Sequence, residues 1–189
     1  MANQDSPFGL RAIGKIGQNR DNQGLAEFSI AASATAIFGQ DPVKALNTGT
    51  IGVAGAGDSL LGALNGVFFT DANTSKPTFA NHLLAGNTAT DIVGFVSSDP
   101  YERFEIQSDN TLASAQTDVF MNYDITYAAG SSHDHLSGVE LDDSTLNSTT
   151  GQLKVVGVSK DIKNNDLGAS HVNFVVMINE HFLKQVAGV

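Results

Sequence analysis

The stretch 119–127, Val-Phe-Met-Asn-Tyr-Asp-Ile-Thr-Tyr, decides the fold class of this chain. Every second residue from Val119 to Tyr127 is apolar or aromatic, and Asn122, Asp124 and Thr126 stand between them. Successive side chains of a β-strand point to opposite faces, so this alternation places one apolar row on one face of a sheet. It predicts a strand that covers a core on one side only.

Further strand-like segments flank this stretch and are separated by clusters of Gly, Asn, Asp and Ser. The clearest are 153–158 and 171–178, and the shorter ones are 26–30, 36–38, 50–53, 66–70, 92–97 and 103–107. Helix signals are confined to one possible turn at 58–64 and to 179–187, which could be a helix or a strand. The polar stretch 130–147 is predicted to be a projecting loop. The chain is therefore predicted to be mostly β, with a small β-barrel or β-sandwich body, an extended N-terminal arm and little helix.

The predicted arm comprises residues 1–24, which are rich in Gly, Asn and Gln and have no sustained period, and the body comprises residues 25–189. Residues 1–20 carry three basic side chains against one acidic, a balance of +2, and the rest carries seven against nineteen, a balance of −12. One interpretation is an ordinary flexible N-terminus. The other is a basic arm that lies on an acidic partner surface and becomes ordered by that contact.

Composition limits the classes of partner and chemistry. The net charge of −10 argues against nucleic acid as a partner, because phosphate contacts require Lys and Arg. The chain has no Cys, which excludes disulfides and thiolate metal sites. The first residues do not have the pattern of a signal peptide, and the apolar stretches are too short to predict a membrane span. We expect a protein made in the cytoplasm that contacts neither nucleic acid nor membrane.

Candidate chemistry is sparse. His133 and His135 would share one face of a strand and could bind a metal together, but no third ligand is evident and a solvated loop is favoured. The oxygen-rich stretches 140–145 and 161–166 lack the EF-hand spacing and are better interpreted as turns. Glu102 and Glu105 would face opposite sides of a strand, which does not suit shared acid–base work. We therefore predict no catalytic residues, no metal and no cofactor.

A second candidate site is the group Asp99, Tyr101 and Phe104. Pro100 restricts Asp99 to extended conformations, so a strand entry is expected here. The two aromatic residues are either part of the core or a contact patch for a partner protein, because Tyr and Phe are enriched at interfaces.

Several stretches, taken in order, resemble structural proteins of marine and freshwater tailed phages. They are Ser-Pro-Phe-Gly-Leu-Arg at 6–11, and the segments 17–24, 35–43, 66–69, 99–107 and 178–181. Such proteins are similar to capsid decoration, or cement, proteins. The resemblance implies a small β body, often trimeric, seated on the outer shell where capsomers meet. It also implies an extended N-terminal arm in contact with the major capsid protein.

The function expected from this resemblance is a virion structural protein on the outer surface of the capsid that cements neighbouring major capsid protein subunits. The expected capsid contacts of the arm are Phe8, Arg11, Lys15 and Arg20, and the expected assembly is a homotrimer. Deleting residues 1–20 is expected to abolish capsid binding and leave the body folded. The alternative is a tail or head-fibre module that binds host glycans through the 130–147 loop. A third class is a metal-assisted hydrolase that uses His133 and His135.

Overall fold

A computed structural model describes residues 3–17, 25–109, 112–185 and 188–189 of the chain. These residues contain twelve β-strands and two short 3-10 helices. The strands are, in chain order, β1 (Arg11–Lys15), β2 (Ala26–Ser29), β3 (Pro42–Ala45), β4 (Ile51–Val53), β5 (Gly62–Thr70), β6 (Pro77–Ala80), β7 (Val93–Ser97), β8 (Glu102–Gln107), β9 (Asn122–Thr126), β10 (Glu140–Asn147), β11 (Leu153–Val158) and β12 (Asn173–Ile178). The 3-10 helices span Gln116–Asp118 and Phe182–Lys184. The prediction of a mostly β chain is confirmed.

The strands form two antiparallel sheets. Sheet A has the order β1-β8-β12-β11-β9-β10, and sheet B has the order β2-β7-β5-β3-β4, with β6 also paired to β5. Both sheets are open, so the closed-barrel alternative is wrong and the sandwich-like alternative is confirmed. The open ends matter for function, because β1 and β10 are the two edge strands of sheet A.

Each sheet covers its own apolar cluster. Phe104, Tyr123 and Phe174 are the largest side chains of the cluster on sheet A, and all three are buried. The buried side chains of the cluster on sheet B are aliphatic, and they include Ile37 and Leu83 from the connecting segments. Ala63 and Leu64 follow one another on β5 but belong to different clusters. The first residues of β5 therefore lie between the two cores.

A buried glutamine links the two halves. The side-chain amide of Gln152 donates to the carbonyl oxygens of Gly55 (2.9 Å) and Asp58 (2.7 Å), and its Oε1 accepts from the amide of Ile125 (3.0 Å). Gln152 is fully buried, so all of these groups would otherwise lose their hydrogen bonds to water. The bonds fix the turn before β5 against sheet A.

The strongest predicted strands are present. The segment 153–158 is β11 as predicted, and most of 171–178 forms β12. The decisive stretch 119–127 forms only the shorter β9, because Phe120 adopts a left-handed φ of 77° and its side chain is exposed. Tyr123 and Ile125 occupy the buried face that the alternation predicted.

Four local predictions are wrong. The segment 36–38 forms only a bridge between Ile37 and Leu83, and 58–64 runs into β5 instead of making a helical turn. The predicted loop 130–147 contains β10, which pairs with β9. The segment 179–187 is neither an α-helix nor a strand in its described part, and it includes the 3-10 turn Phe182–Lys184.

The N-terminal segment, residues 3–17, lies against the body. Leu10 is fully buried in the cluster of sheet A, its amide donates to the Gln40 carbonyl (2.9 Å), and β1 pairs with β8. Gly9 has a φ of 75°, and a Cβ there would come within 2.4 Å of the Gln40 carbonyl oxygen, so only glycine suits this approach. Deleting residues 1–20 would thus remove β1 and part of the core. Residues 18–24 of the predicted arm lie outside the described residues.

Candidate functional site

The β1 edge, defined here as residues 11–16 together with Tyr101, is an accessible border of sheet A. Strand β1 stands at the end of the sheet order, and the side chains of Ile13 and Ile16 are 45% and 50% exposed. The amide of Ile16 donates to the Tyr101 carbonyl (3.0 Å), which brings Tyr101 into the same border. A strand edge with exposed apolar side chains is a favourable place for contact with another chain.

Phe8 and Arg11, two of the predicted capsid contacts, lie together at the start of β1. The Arg11 guanidinium lies over the Phe8 ring, 4.6 Å from its centroid, and forms an ion pair with Glu105 on β8. About half of the Arg11 side chain remains exposed. Glu105 is buried, so the pair joins a half-exposed cation to a buried carboxylate and orients the guanidinium along the edge.

Lys15 and Asp99 meet at the other end of β1. The Lys15 Nζ lies 3.1 Å from the Asp99 Oδ2, and only 9% of the lysine side chain is exposed. Tyr101 is half exposed, and the Lys184 ammonium lies 5.1 Å from its ring centroid. The arm contacts and the patch that the sequence predicted separately thus form one surface. Arg11 is more exposed than Lys15 and is therefore the more accessible cation of this surface.

One of the predicted contact residues does not lie on this surface. Phe104 is fully buried in the cluster of sheet A, so its prediction as a partner contact is wrong and the core alternative is correct. The alternation of β8 turns Phe104 inward while Arg103 faces the other side. Arg20 lies outside the described residues.

An exposed aromatic group on sheet B was not predicted. Phe79 on β6 is 73% exposed, pairs with Phe68 (4.7 Å between centroids), and lies 6.4 Å from Phe95 in a stacked arrangement. Sequence reasoning missed it because β6 is short, begins at Pro77 and shows no alternation. The only signal was the Phe68-Phe69 pair, of which Phe69 packs against the core and Phe68 points away from it.

His133 and His135 do not share the face of a strand, which was the premise of the predicted metal pair. These residues lie in a turn rather than on a strand, and His133 is exposed. His135 adopts a φ of 57°, and its ring stacks on His82 at 3.7 Å between centroids. Partial burial, with the nearby His135, lowers the pKa of His82. His82 also borders a cleft of about 430 Å³ whose polar lining includes Asp71, Asn73 and Asn87.

A different group could hold a metal ion. Donor atoms of Asp5, Glu140 and His171 all lie within 4.8 Å of one another, and the His171 Nδ1 is 3.9 Å from a carboxylate oxygen of each acid. The His171 Nδ1 and the Glu140 Oε1 are buried, and neither has a hydrogen-bond partner among the described residues. Burial, with added repulsion from Asp5 and Asp109, raises the pKa of Glu140 to about 7. Sequence reasoning missed this group because its members are far apart in the chain.

A pair of carboxyl groups lies close by. Asp143 on β10 is buried, and its Oδ1 accepts a hydrogen bond from the Leu112 amide (2.8 Å). Burial and a hydrogen bond with the Asp109 carboxyl raise the pKa of Asp143 to about 7. Burial is the main cause of the raised pKa of both Glu140 and Asp143, and neighbouring carboxyl groups add to it.

Comparison with known proteins adds no identification: no family model, curated protein or solved structure matches this chain. Within the described residues, none of the helices has the length and apolar character needed to cross a membrane. The surfaces described above therefore carry the functional argument.

Proposed function

We propose that this chain is a non-enzymatic structural protein of a tailed phage, a capsid decoration protein that binds the outer surface of the capsid and cements neighbouring major capsid protein subunits. The proposal rests on the resemblance of the six sequence stretches and on one structural observation. That observation is the β1 edge, where exposed Ile13 and Ile16 adjoin the exposed cation of Arg11. Apolar side chains supply contact area, and a charged rim orients the partner.

The distribution of charge supports the same arrangement. The net charge of the chain is −10, whereas the first twenty residues are basic. Arg11 and Lys15 are paired with Glu105 and Asp99 within the chain, and the basic N-terminal segment as a whole would face an acidic partner surface and turn the acidic remainder of the protein toward solvent. Binding that occurs only on the assembled shell stabilises assembly by linkage, and many copies act together, so a modest affinity for each site is sufficient.

A threefold seat on the shell favours a trimer that presents one β1 edge per subunit. Three copies of the 19.8 kDa chain would have a mass of about 59 kDa in solution. Light scattering on purified protein measures this mass. A monomer at all concentrations would remove the trimer from the proposal but leave the capsid contact to be tested separately.

Point substitutions test the contact better than a deletion, because a deletion of residues 1–20 also removes Leu10 from the core. We expect the double variant Ile13→Asp/Ile16→Asp to bind capsids that lack the protein at least about tenfold more weakly than wild type, since each change places a charge in an apolar contact. Cosedimentation with capsids measures the affinity.

Leu146→Asp is the matched control. Leu146 lies on β10, the opposite edge strand of sheet A, and its side chain is 49% exposed, close to the values for Ile13 and Ile16. The control should bind as wild type does. Unchanged binding by the Ile13/Ile16 variant, or equal loss by the control, would contradict a role for the β1 edge.

The alternative is a tail or head-fibre module that binds host glycans. The cleft beside His82 supports it, because carboxylate and amide side chains lie next to Phe69, and such a lining suits a polar ligand. Glycan binding that is lost in Asp71→Ala, together with a location on the tail, would favour this alternative over capsid decoration.

A further inference from the structure

We propose that Asp5, Glu140 and His171 form a binding site for a first-row divalent transition-metal ion, of which Zn²⁺ is the best representative, and that this ion fastens the N-terminal segment to the body. The site goes beyond the proposed capsid role and does not depend on it. It joins three parts of the chain: the N-terminal segment, the start of β10 and the turn before β12.

The distances suit an ion. The His171 Nδ1 lies 3.9 Å from the nearest oxygen of each acid, which is too long for a hydrogen bond, and all three donor atoms lie within 4.8 Å of one another. An ion equidistant from the three atoms would sit no more than about 2.5 Å from each, and a contraction of a few tenths of an ångström reaches the bond lengths of about 2.0–2.2 Å for Zn²⁺.

Two of the three donor atoms make no hydrogen bond with any described residue. The Glu140 Oε1 and the His171 Nδ1 are buried, and no described residue gives either a hydrogen bond. Leaving such atoms buried and unpaired has a free-energy cost. A cation that coordinates both atoms would remove this cost, and it would also offset the repulsion that Asp5 and Asp109 exert on Glu140.

The backbone beside two of the ligands is already held in place. The Asn164 side-chain amide donates to the carbonyl oxygens of both Gln4 (2.7 Å) and His171 (2.8 Å), and the Gln107 amide donates to the Gln4 carbonyl (3.0 Å). Gln107 and Asn164 are themselves buried. Hydrogen bonds therefore hold Gln4, which precedes Asp5, close to His171. This lowers the entropic cost of bringing the ligands together.

The donor set selects the class of ion. One imidazole nitrogen with two carboxylate oxygens suits Zn²⁺, Co²⁺ or Mn²⁺, whereas Ca²⁺ and Mg²⁺ prefer oxygen ligands alone. Asp5 is largely exposed, so an ion can enter from solvent and keep water in its remaining positions. The competing account is direct electrostatic contact among the three side chains without an ion, and it predicts no dependence on metal.

Isothermal titration of EDTA-treated full-length protein with Zn²⁺ tests the site, with Co²⁺ absorption as a second measure of coordination. Wild type should bind one equivalent, and Glu140→Gln and His171→Asn should bind at least about tenfold more weakly. Asparagine is chosen because His171 has a φ of 59°, which Asn tolerates. His133→Asn is the matched control, because His133 is exposed in a turn, and it should bind as wild type does.

A second measurement tests whether the ion holds the N-terminal segment against the body. Zn²⁺ should slow proteolysis within residues 1–9 of wild type and leave the rate in Glu140→Gln unchanged, and circular dichroism establishes that each variant is folded. The proposal is overturned if wild type shows no saturable binding, if the two site variants bind as wild type does, or if His133→Asn loses affinity equally. If one site variant fails to fold, the other and Asp5→Asn, on an exposed side chain, decide the question.

Discussion

His181 should make the protein lose stability as the pH falls from about 6.5 to about 4. The imidazole is 1% exposed, its Nδ1 accepts a hydrogen bond from the Leu183 amide (3.1 Å), and its Nε2 is buried. Burial is the main cause that lowers the pKa of His181 to about 4, and the charge of Lys184 adds to it. The folded protein therefore keeps this imidazole neutral at pH values where the unfolded chain protonates it.

The magnitude follows from the two pKa values. Above about pH 6.5 the imidazole is neutral in both states and has no effect on the pH dependence. Between about 6.5 and 4 the unfolded chain binds one more proton, so the free energy of unfolding falls as the pH falls. A difference of about 2.5 pKa units corresponds to about 3 kcal/mol, most of which is lost by pH 4.5.

Urea unfolding followed by circular dichroism at pH 7.5, 6, 5 and 4.5 measures this loss. His181→Asn retains an acceptor near the position of Nδ1 and cannot titrate, so the difference in free energy of unfolding between wild type and variant should change by about 2–3 kcal/mol across this range. His133→Asn, on an exposed turn, is the control for the substitution itself. Parallel pH curves for wild type and His181→Asn would refute the reasoning.

Two other substitutions test the fold. Burial raises the pKa of Asp41 to about 6, so the folded state binds this proton more strongly than the unfolded chain does, and the contribution of Asp41 to stability falls by about 2–3 kcal/mol as the pH rises from about 4 to 7. The difference in free energy of unfolding between wild type and Asp41→Asn, measured in urea at pH 4 and pH 8, should change by this amount, and an unchanged difference would contradict the assignment. Leu10→Ala should lower the free energy of unfolding by about 2–5 kcal/mol, because it empties a fully buried site. Ile13 lies three residues after Leu10 and its side chain is exposed, so Ile13→Ala should lower the free energy of unfolding by under about 1 kcal/mol. A similar loss for both variants would show that the N-terminal segment does not pack as described.

The predictable strands are those whose buried face is evident from a local pattern of apolar residues in the sequence. Strand β11 and most of β12 have dense Val and Phe, and β9 shows its buried Tyr123 and Ile125 directly. Strand β10 was missed because Asp142, Asp143 and Ser144 interrupt its pattern, and Asp143 is buried although aspartate is seldom found in a core. Strand β1 is short and is broken by a bulge between Ala12 and Gly14.

The surface was only partly predictable for a related reason. Charge asymmetry identified Arg11 and Lys15, but their partners Glu105 and Asp99 depend on the register of β1 against β8. The Asp5, Glu140 and His171 group requires the pairing of three distant segments, which no local pattern contains. Phe104 was ambiguous because an aromatic residue on a strand suits a core and an interface equally until its face is known.

The location of this protein on intact phage particles tests the proposed function most directly. Cryo-electron microscopy of purified particles, with antibody labelling of the protein, provides the measurement. Capsid decoration predicts density over the whole head, at the sites where capsomers meet, with the β1 edge toward the shell. Density confined to a tail or a single vertex, or no label on the head, would contradict it.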